Sequence, residues 1–155
     1  MITEKLLERL YLLSDDVLYR DAVNFMHSIG EANSLSGSQM NGLLNIALGN
    51  PYSELLKFLQ HQQARTTWKK QEAHVPGFYR KLQIKLQRLT VDTISSIAPE
   101  GKLSPEEQEE LKKLIAQEFI QHLLAENGYM AYQIECKKKQ EETQQSMYQR
   151  GGKRR

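Results

Sequence analysis

One cysteine, Cys136, stands in a chain of 155 residues, so no internal disulfide and no cysteine-based zinc site is available. Such scarcity suits a reducing compartment, and a cytoplasmic location is the expectation. No apolar run approaches the ~20 residues that a membrane-crossing helix needs. The start, Met1-Ile2-Thr3-Glu4-Lys5, shows no basic stretch leading into an apolar one, so neither a secretory leader nor contact with a membrane is expected. Four prolines and nine glycines leave long stretches uninterrupted. No segment alternates apolar and polar residues as a half-buried strand does, and no internal repeat is visible.

Catalytic signatures are equally scarce. Gly101-Lys102 lacks the upstream glycine and the spacing of a phosphate-binding loop. His27, His61, His74 and His122 are dispersed, and none follows a glutamate by three residues. His122 and Glu126 share a helical face at i, i+4, a spacing metal sites use. With no further ligand nearby, His122 reads better as a partly buried, hydrogen-bonded residue. Asp15 and Asp16 fit a helix N-terminus, where the dipole favours negative charge. Ser34, Ser36 and Ser38 read as loop and cap residues. The expectation is a protein that is not an enzyme, with no cofactor and no metal.

What remains is helix. A first helix is predicted from an N-cap at Thr3 to Leu13, and a second, capped by Ser14-Asp15-Asp16, runs to a stop near Gly30. After the turn-forming stretch Glu31 to Gly37, Ser36 or Ser38 caps a short helix from Gln39 to Leu48. Gly49-Asn50-Pro51 ends it and starts the next. Helix resumes at Phe78 after a break at Pro76-Gly77 and reaches Ile97, with fraying expected after Thr90 because Val91, Thr93 and Ile94 are β-branched. Ala98 to Leu103 is a linker. Ser104-Pro105-Glu106-Glu107 then opens a long helix carrying Leu111, Ile115, Phe119, Ile120, Leu123 and Ile134, with a kink or break at Asn127-Gly128. The fold class is therefore an all-α, single-domain bundle of five to six helices with a long C-terminal helix. Residues 1–140 form the bundle, and 141–155 read as a basic, disordered tail with little to bury.

Acid is missing from one stretch above all. Between Lys57 and Arg88 lie eight basic residues against one acidic residue, Glu72, in a chain whose net charge is only +2. Lys57, His61, Arg65 and Lys69 recur every four residues, which on a helix stacks them into one ridge. Lys70 follows. Arg80, Lys81, Lys85 and Arg88 flank a second apolar stripe made by Phe78, Leu82, Leu86 and Leu89. Ordinary soluble surfaces mix the two signs, and a single-sign field points to a polyanion. Gln60, Gln62, Gln63, Thr66 and Thr67 can hydrogen-bond phosphate or sugar. Trp68 has two readings: it stacks on a base or caps the hydrophobic core at a helix end. His74, Phe78 and Tyr79 flank the same region. Contact with the backbone of RNA or single-stranded DNA, with low sequence specificity and strong salt dependence, is the expectation.

Two other readings stand beside it. Ser36 to Leu59 has the outline of a helix-turn-helix, as in a sequence-specific DNA-binding regulator. Its second helix, however, would open with Tyr52-Ser53-Glu54, an acid where phosphates lie. A structural adaptor whose cations meet an acidic protein surface is the other. The remaining charge is also segregated along the chain, with acidic zones at 1–56 and 99–135 and a basic one at 136–155. That pattern suits head-to-tail association.

The entry Leu35-Ser36-Gly37-Ser38-Gln39, the basic stretches Lys57–Lys70 and Phe78–Arg88, and the aromatic run Phe119-Ile120-Gln121-His122-Leu123-Leu124 through Tyr129-Met130-Ala131-Tyr132 together resemble the small subunit of type III CRISPR effector complexes. The likeness spans roughly residues 35 to 135. Met40-Asn41-Gly42 stands where that family usually has a basic residue. The resemblance implies a non-catalytic subunit of an antiviral ribonucleoprotein. Copies would stack into a short filament beside the other effector subunits and hold a guide–target duplex or displaced strand through basic side chains.

Overall fold

The computed structural model describes residues 2–152. Among them are six α-helices and no strand: α1 (Glu4–Leu13), α2 (Tyr19–Ile29), α3 (Gly37–Gly49), α4 (Tyr52–Ala64), α5 (Val75–Ile97) and α6 (Pro105–Gly152). The all-α, single-domain bundle closed by a long C-terminal helix is as expected from the sequence.

Local signals set most of the boundaries. The Thr3 side chain accepts the Leu6 amide at 3.3 Å and starts α1. Ser36, not Ser38, caps α3: its hydroxyl accepts the Gln39 amide at 3.2 Å while Gln39 Oε1 accepts the Ser36 amide at 2.9 Å. Ser104 and Glu107 repeat this reciprocal pair at the start of α6. Gly30, at φ +78°, ends α2 in a conformation that a side chain would strain.

The junction of α1 and α2 differs from expectation. Ser14 is helical (φ −61°, ψ −45°) and caps nothing; Ser14–Leu18 is a π turn that joins the two helices without a gap. The reason lies in register. Leu10 and Leu18, both fully buried, are eight residues apart and would diverge by about 80° on a regular α-helix. One extra residue in a π turn brings them to within about 20°, so both face the core. Ser14, buried by the same turn, gives its hydroxyl proton to Glu118 Oε2 of α6 at 2.7 Å. With that proton committed, His122 Nε2, 3.0 Å away, donates to the hydroxyl oxygen. His122 is thus half-buried and hydrogen-bonded, as expected.

Helix α6 is the axis of the bundle. Leu111, Ile115, Phe119, Ile120 and Leu123 on it are fully buried against α2, α3, α4 and α5. Phe25 meets Phe78 and Phe119 edge-on, with centroids 5.8 and 6.0 Å apart. Each such fully buried side chain contributes about 2–3 kcal/mol of transfer free energy.

Three further boundaries are corrected. Helix α5 does not start after Pro76-Gly77 but at Val75, with the proline in its first turn, where no amide is missed. It does not fray after Thr90: Thr90, Thr93 and Ile97 are buried, and Arg9 Nη1 donates to the Ile97 carbonyl at 2.9 Å. Packing and this C-terminal cation outweigh the modest β-branched penalty. Nor does α6 break at Asn127-Gly128. Asn127 Oδ1 accepts from Ser34 Oγ at 2.7 Å, so its side chain tethers the 31–36 loop while the backbone stays helical. The helix also runs through 141–152, in place of the disordered tail expected there. Every residue from Lys137 to Gly151 is exposed, so this end rests on its own backbone bonds alone. Residues 153–155 of that expected tail lie outside the described residues.

Candidate nucleic-acid interface

The ridge expected from Lys57, His61, Arg65 and Lys69 does not form. Helix α4 stops at Ala64, Arg65 is extended (φ −67°, ψ 126°), and the chain stays non-helical up to a 3-10 turn at Lys70–Glu72. Only Lys57 and His61 lie on the outward face of α4, and Lys57 Nζ sits 3.1 Å from Glu54. The cause is local: Thr66 and Thr67 are weak helix formers, and Trp68 turns back to close the helix end. Its Nε1 donates to the Gln62 carbonyl at 3.0 Å, satisfying one of the last carbonyls of α4. The ring is half-buried against the core. Trp68 caps the core at the helix end, and the part of its ring left exposed lines a groove beside it.

Helices α4 and α5 pack on each other, bridged by a Gln63–Gln83 side-chain bond and by Phe58 edge-on to Tyr79. Arg80, Lys81 and Arg88 project from the exposed side of α5, and Lys69 and Lys70 from the connecting segment. Lys85 turns towards α2, where its Nζ lies 3.4 Å from Asp21. Six exposed cations, Arg65, Lys69, Lys70, Arg80, Lys81 and Arg88, make no ion pair among the described residues. Lys57 and Lys85 do, and an exposed pair such as Lys57–Glu54 is worth at most about 1 kcal/mol.

Arg65 also belongs to a second construction. Its guanidinium carbon lies 4.6 Å from the Trp68 ring centroid, and its Nε donates to Thr67 Oγ1 at 2.7 Å. Together with Lys69 it borders a groove of about 520 Å³, lined also by Phe58, Trp68, Tyr79 and Glu72. Burial pushes the Tyr79 phenol above its ordinary pKa, and the nearby Arg65 charge partly offsets this. Sequence reasoning did not single out Phe58. Of the three residues expected to flank this region, only Tyr79 lines the groove. Phe78 is buried in the core, and His74 Nε2 donates to the Ser34 carbonyl at 3.0 Å.

The other chemistry-bearing clusters hold the fold together. Ser14 is buried and its proton goes to a carboxylate, so it presents no nucleophile to a substrate. Glu126, only 7% exposed, accepts from His27 Nε2 at 2.9 Å. No three metal-ligating side chains cluster among the described residues, and no helix among them is long and apolar enough to cross a membrane. The α3–α4 pair buries Tyr52 and Leu55 and turns Glu54 outward, so the end of α4 that a recognition helix would present to bases is apolar and acidic. Compared with known proteins, the chain matches no family model, no curated protein and no solved structure.

Proposed function

We infer that the chain is a non-catalytic nucleic-acid-binding subunit that grips the sugar–phosphate backbone of RNA or single-stranded DNA through the α4–α5 segment. The observation that carries this reading is the set of six exposed cations on α5 and the preceding loop that make no ion pair among the described residues, with Glu72 the one acid among them in sequence. Phosphates that replace water around such cations release bound counterions, which favours binding at low salt and gives little base preference. The finer proposal is a small subunit of a type III CRISPR-like effector complex, assembling with the other subunits and with copies of itself. Its support is the likeness of the Leu35–Gln39 entry, the two basic stretches and the aromatic run of α6, carried on an all-α bundle.

Purification of the tagged chain from its own cells at low salt, followed by mass spectrometry and sequencing of what accompanies it, tests both levels. Repeat-containing proteins with short RNAs of uniform length are the expected outcome. A lone protein on defined genomic DNA would replace this reading with a sequence-specific regulator. Protein partners without nucleic acid would replace it with an adaptor for an acidic surface.

A further inference from the structure

The groove between the end of α4, the Arg65–Lys69 segment and the start of α5 carries a sharper inference, which rests on the nucleic-acid reading above. We propose that it receives one unstacked nucleotide of a bound single strand and prefers guanine. The ring is taken against the partly exposed Phe58 and Trp68, with the buried Tyr79 behind them as the groove's floor, the phosphate by Arg65 and Lys69, and the Watson–Crick edge by Glu72.

Each element of the proposal has its place in the structure. The groove's volume of about 520 Å³ falls within the ~300–1,000 Å³ usual for small-ligand sites. Its walls bring three aromatic rings from three separate elements together with two cations. Unstacked bases are held in this way by RNA-binding proteins, on aromatic faces and on guanidinium planes. The Trp68 ring is held in position by its bond to the Gln62 carbonyl, and Arg65 lies over it, so the platform is preorganised.

The carboxylate selects the base. Gln39 Oε1 is committed to the Ser36 amide in the α3 capping box, which leaves its Nε2 to donate to Glu72 Oε2 at 3.4 Å. Gln39 is thus a positioning residue. Glu72 Oε1 has no hydrogen-bond partner among the described residues. An ionised carboxylate only accepts, so it favours an edge with adjacent donors. Guanine offers two, N1–H and the N2 amino group. Adenine and cytosine offer one amino group each beside an acceptor, and uracil a single N3–H between two carbonyls.

Trp68 is the only tryptophan, so its fluorescence reports on this groove alone. The full chain is titrated with GMP, AMP, CMP, UMP and inorganic phosphate while Trp68 emission is followed. In parallel, a labelled oligouridine strand with and without one guanosine is followed by anisotropy. The proposal predicts saturable quenching by GMP at about tenfold lower concentration than by the other nucleotides, the size expected of charge-assisted hydrogen bonds. Glu72→Gln should remove the preference, and Arg65→Ala should weaken all four nucleotides alike; both positions are outside the core, so circular dichroism should stay unchanged. Equal quenching by all four nucleotides overturns the guanine assignment. Quenching by inorganic phosphate alone reduces the groove to an anion site and overturns the proposal. A strand that binds by anisotropy without changing Trp68 emission overturns the groove and leaves the proposed function standing. A strand that does not bind at all overturns both.

Discussion

Replacing Arg80 and Lys81 by glutamine removes two of the six exposed cations of the α4–α5 segment that make no ion pair among the described residues, and touches no buried group. If all six neutralise phosphates of a single strand, log K against log salt should fall with a slope of about −4.2, and with four left about −2.8. Extrapolated from 1 M salt, where the two should converge, affinity at 0.1 M falls about 25-fold. Lys57→Gln serves as the internal comparison. Its amine is already engaged by Glu54 at 3.1 Å, so it should change the slope by less than one full phosphate contact. The assay is fluorescence anisotropy of a labelled single strand at several salt concentrations, with circular dichroism on each variant. An unchanged slope in the double variant, or a larger change in Lys57→Gln, would refute the assignment of these cations to phosphate contacts.

Three predictions concern the scaffold that carries the interface. Ser14→Ala removes the hydroxyl that joins the π turn to Glu118 and His122 of α6. Both partners are half-exposed and can rehydrate, so the loss should sit near the low end for charged hydrogen bonds, about 1.5 kcal/mol. Thermal denaturation should show a Tm lower by about 3–6 °C, and an unchanged Tm would count against the contact. The Tyr52 hydroxyl is buried beside the Thr90 side chain but makes no well-formed hydrogen bond among the described residues, and burial raises its pKa. Tyr52→Phe should therefore hold stability or add about 1 kcal/mol in urea denaturation, and a fall of that size would show that the hydroxyl is satisfied. Truncation after Gln140 removes exposed helix only, so helical circular dichroism should drop while Tm moves by less than about 2 °C. A larger shift would mean that the extension docks on the body.

The parts of this fold legible in the sequence are those decided within a few residues. Thr3, the Ser36–Gln39 pair, Gly30 and the Ser104–Glu107 pair each satisfy or terminate a helix end with neighbours three or four positions away. The features that escaped depend on partners far along the chain. Ser14 looked like an N-cap because the sequence does not show Glu118 and His122 waiting across the core. Asn127-Gly128 looked like a break because the tether to Ser34 is invisible locally.

The interface divides in the same way. Basic residues without interspersed acid were plain in the sequence, and α5 presents Arg80, Lys81 and Arg88 to solvent as its apolar stripe requires. The four-residue spacing of Lys57, His61, Arg65 and Lys69 misled, since periodicity has meaning only where the helix persists. Thr66, Thr67 and Trp68 were the available warning that it does not. The groove had no sequence signature, because Phe58, Trp68 and Tyr79 converge only when α4, its cap and α5 pack together.

Ultraviolet cross-linking of the purified chain to a single-stranded RNA, with mass-spectrometric mapping of the adducts, tests the central claim most directly. Adducts confined to peptides between Lys57 and Arg88, with Trp68 or Phe58 among the modified residues, are the predicted result. Adducts only on the basic stretch beyond Cys136, or none at low salt, would contradict it.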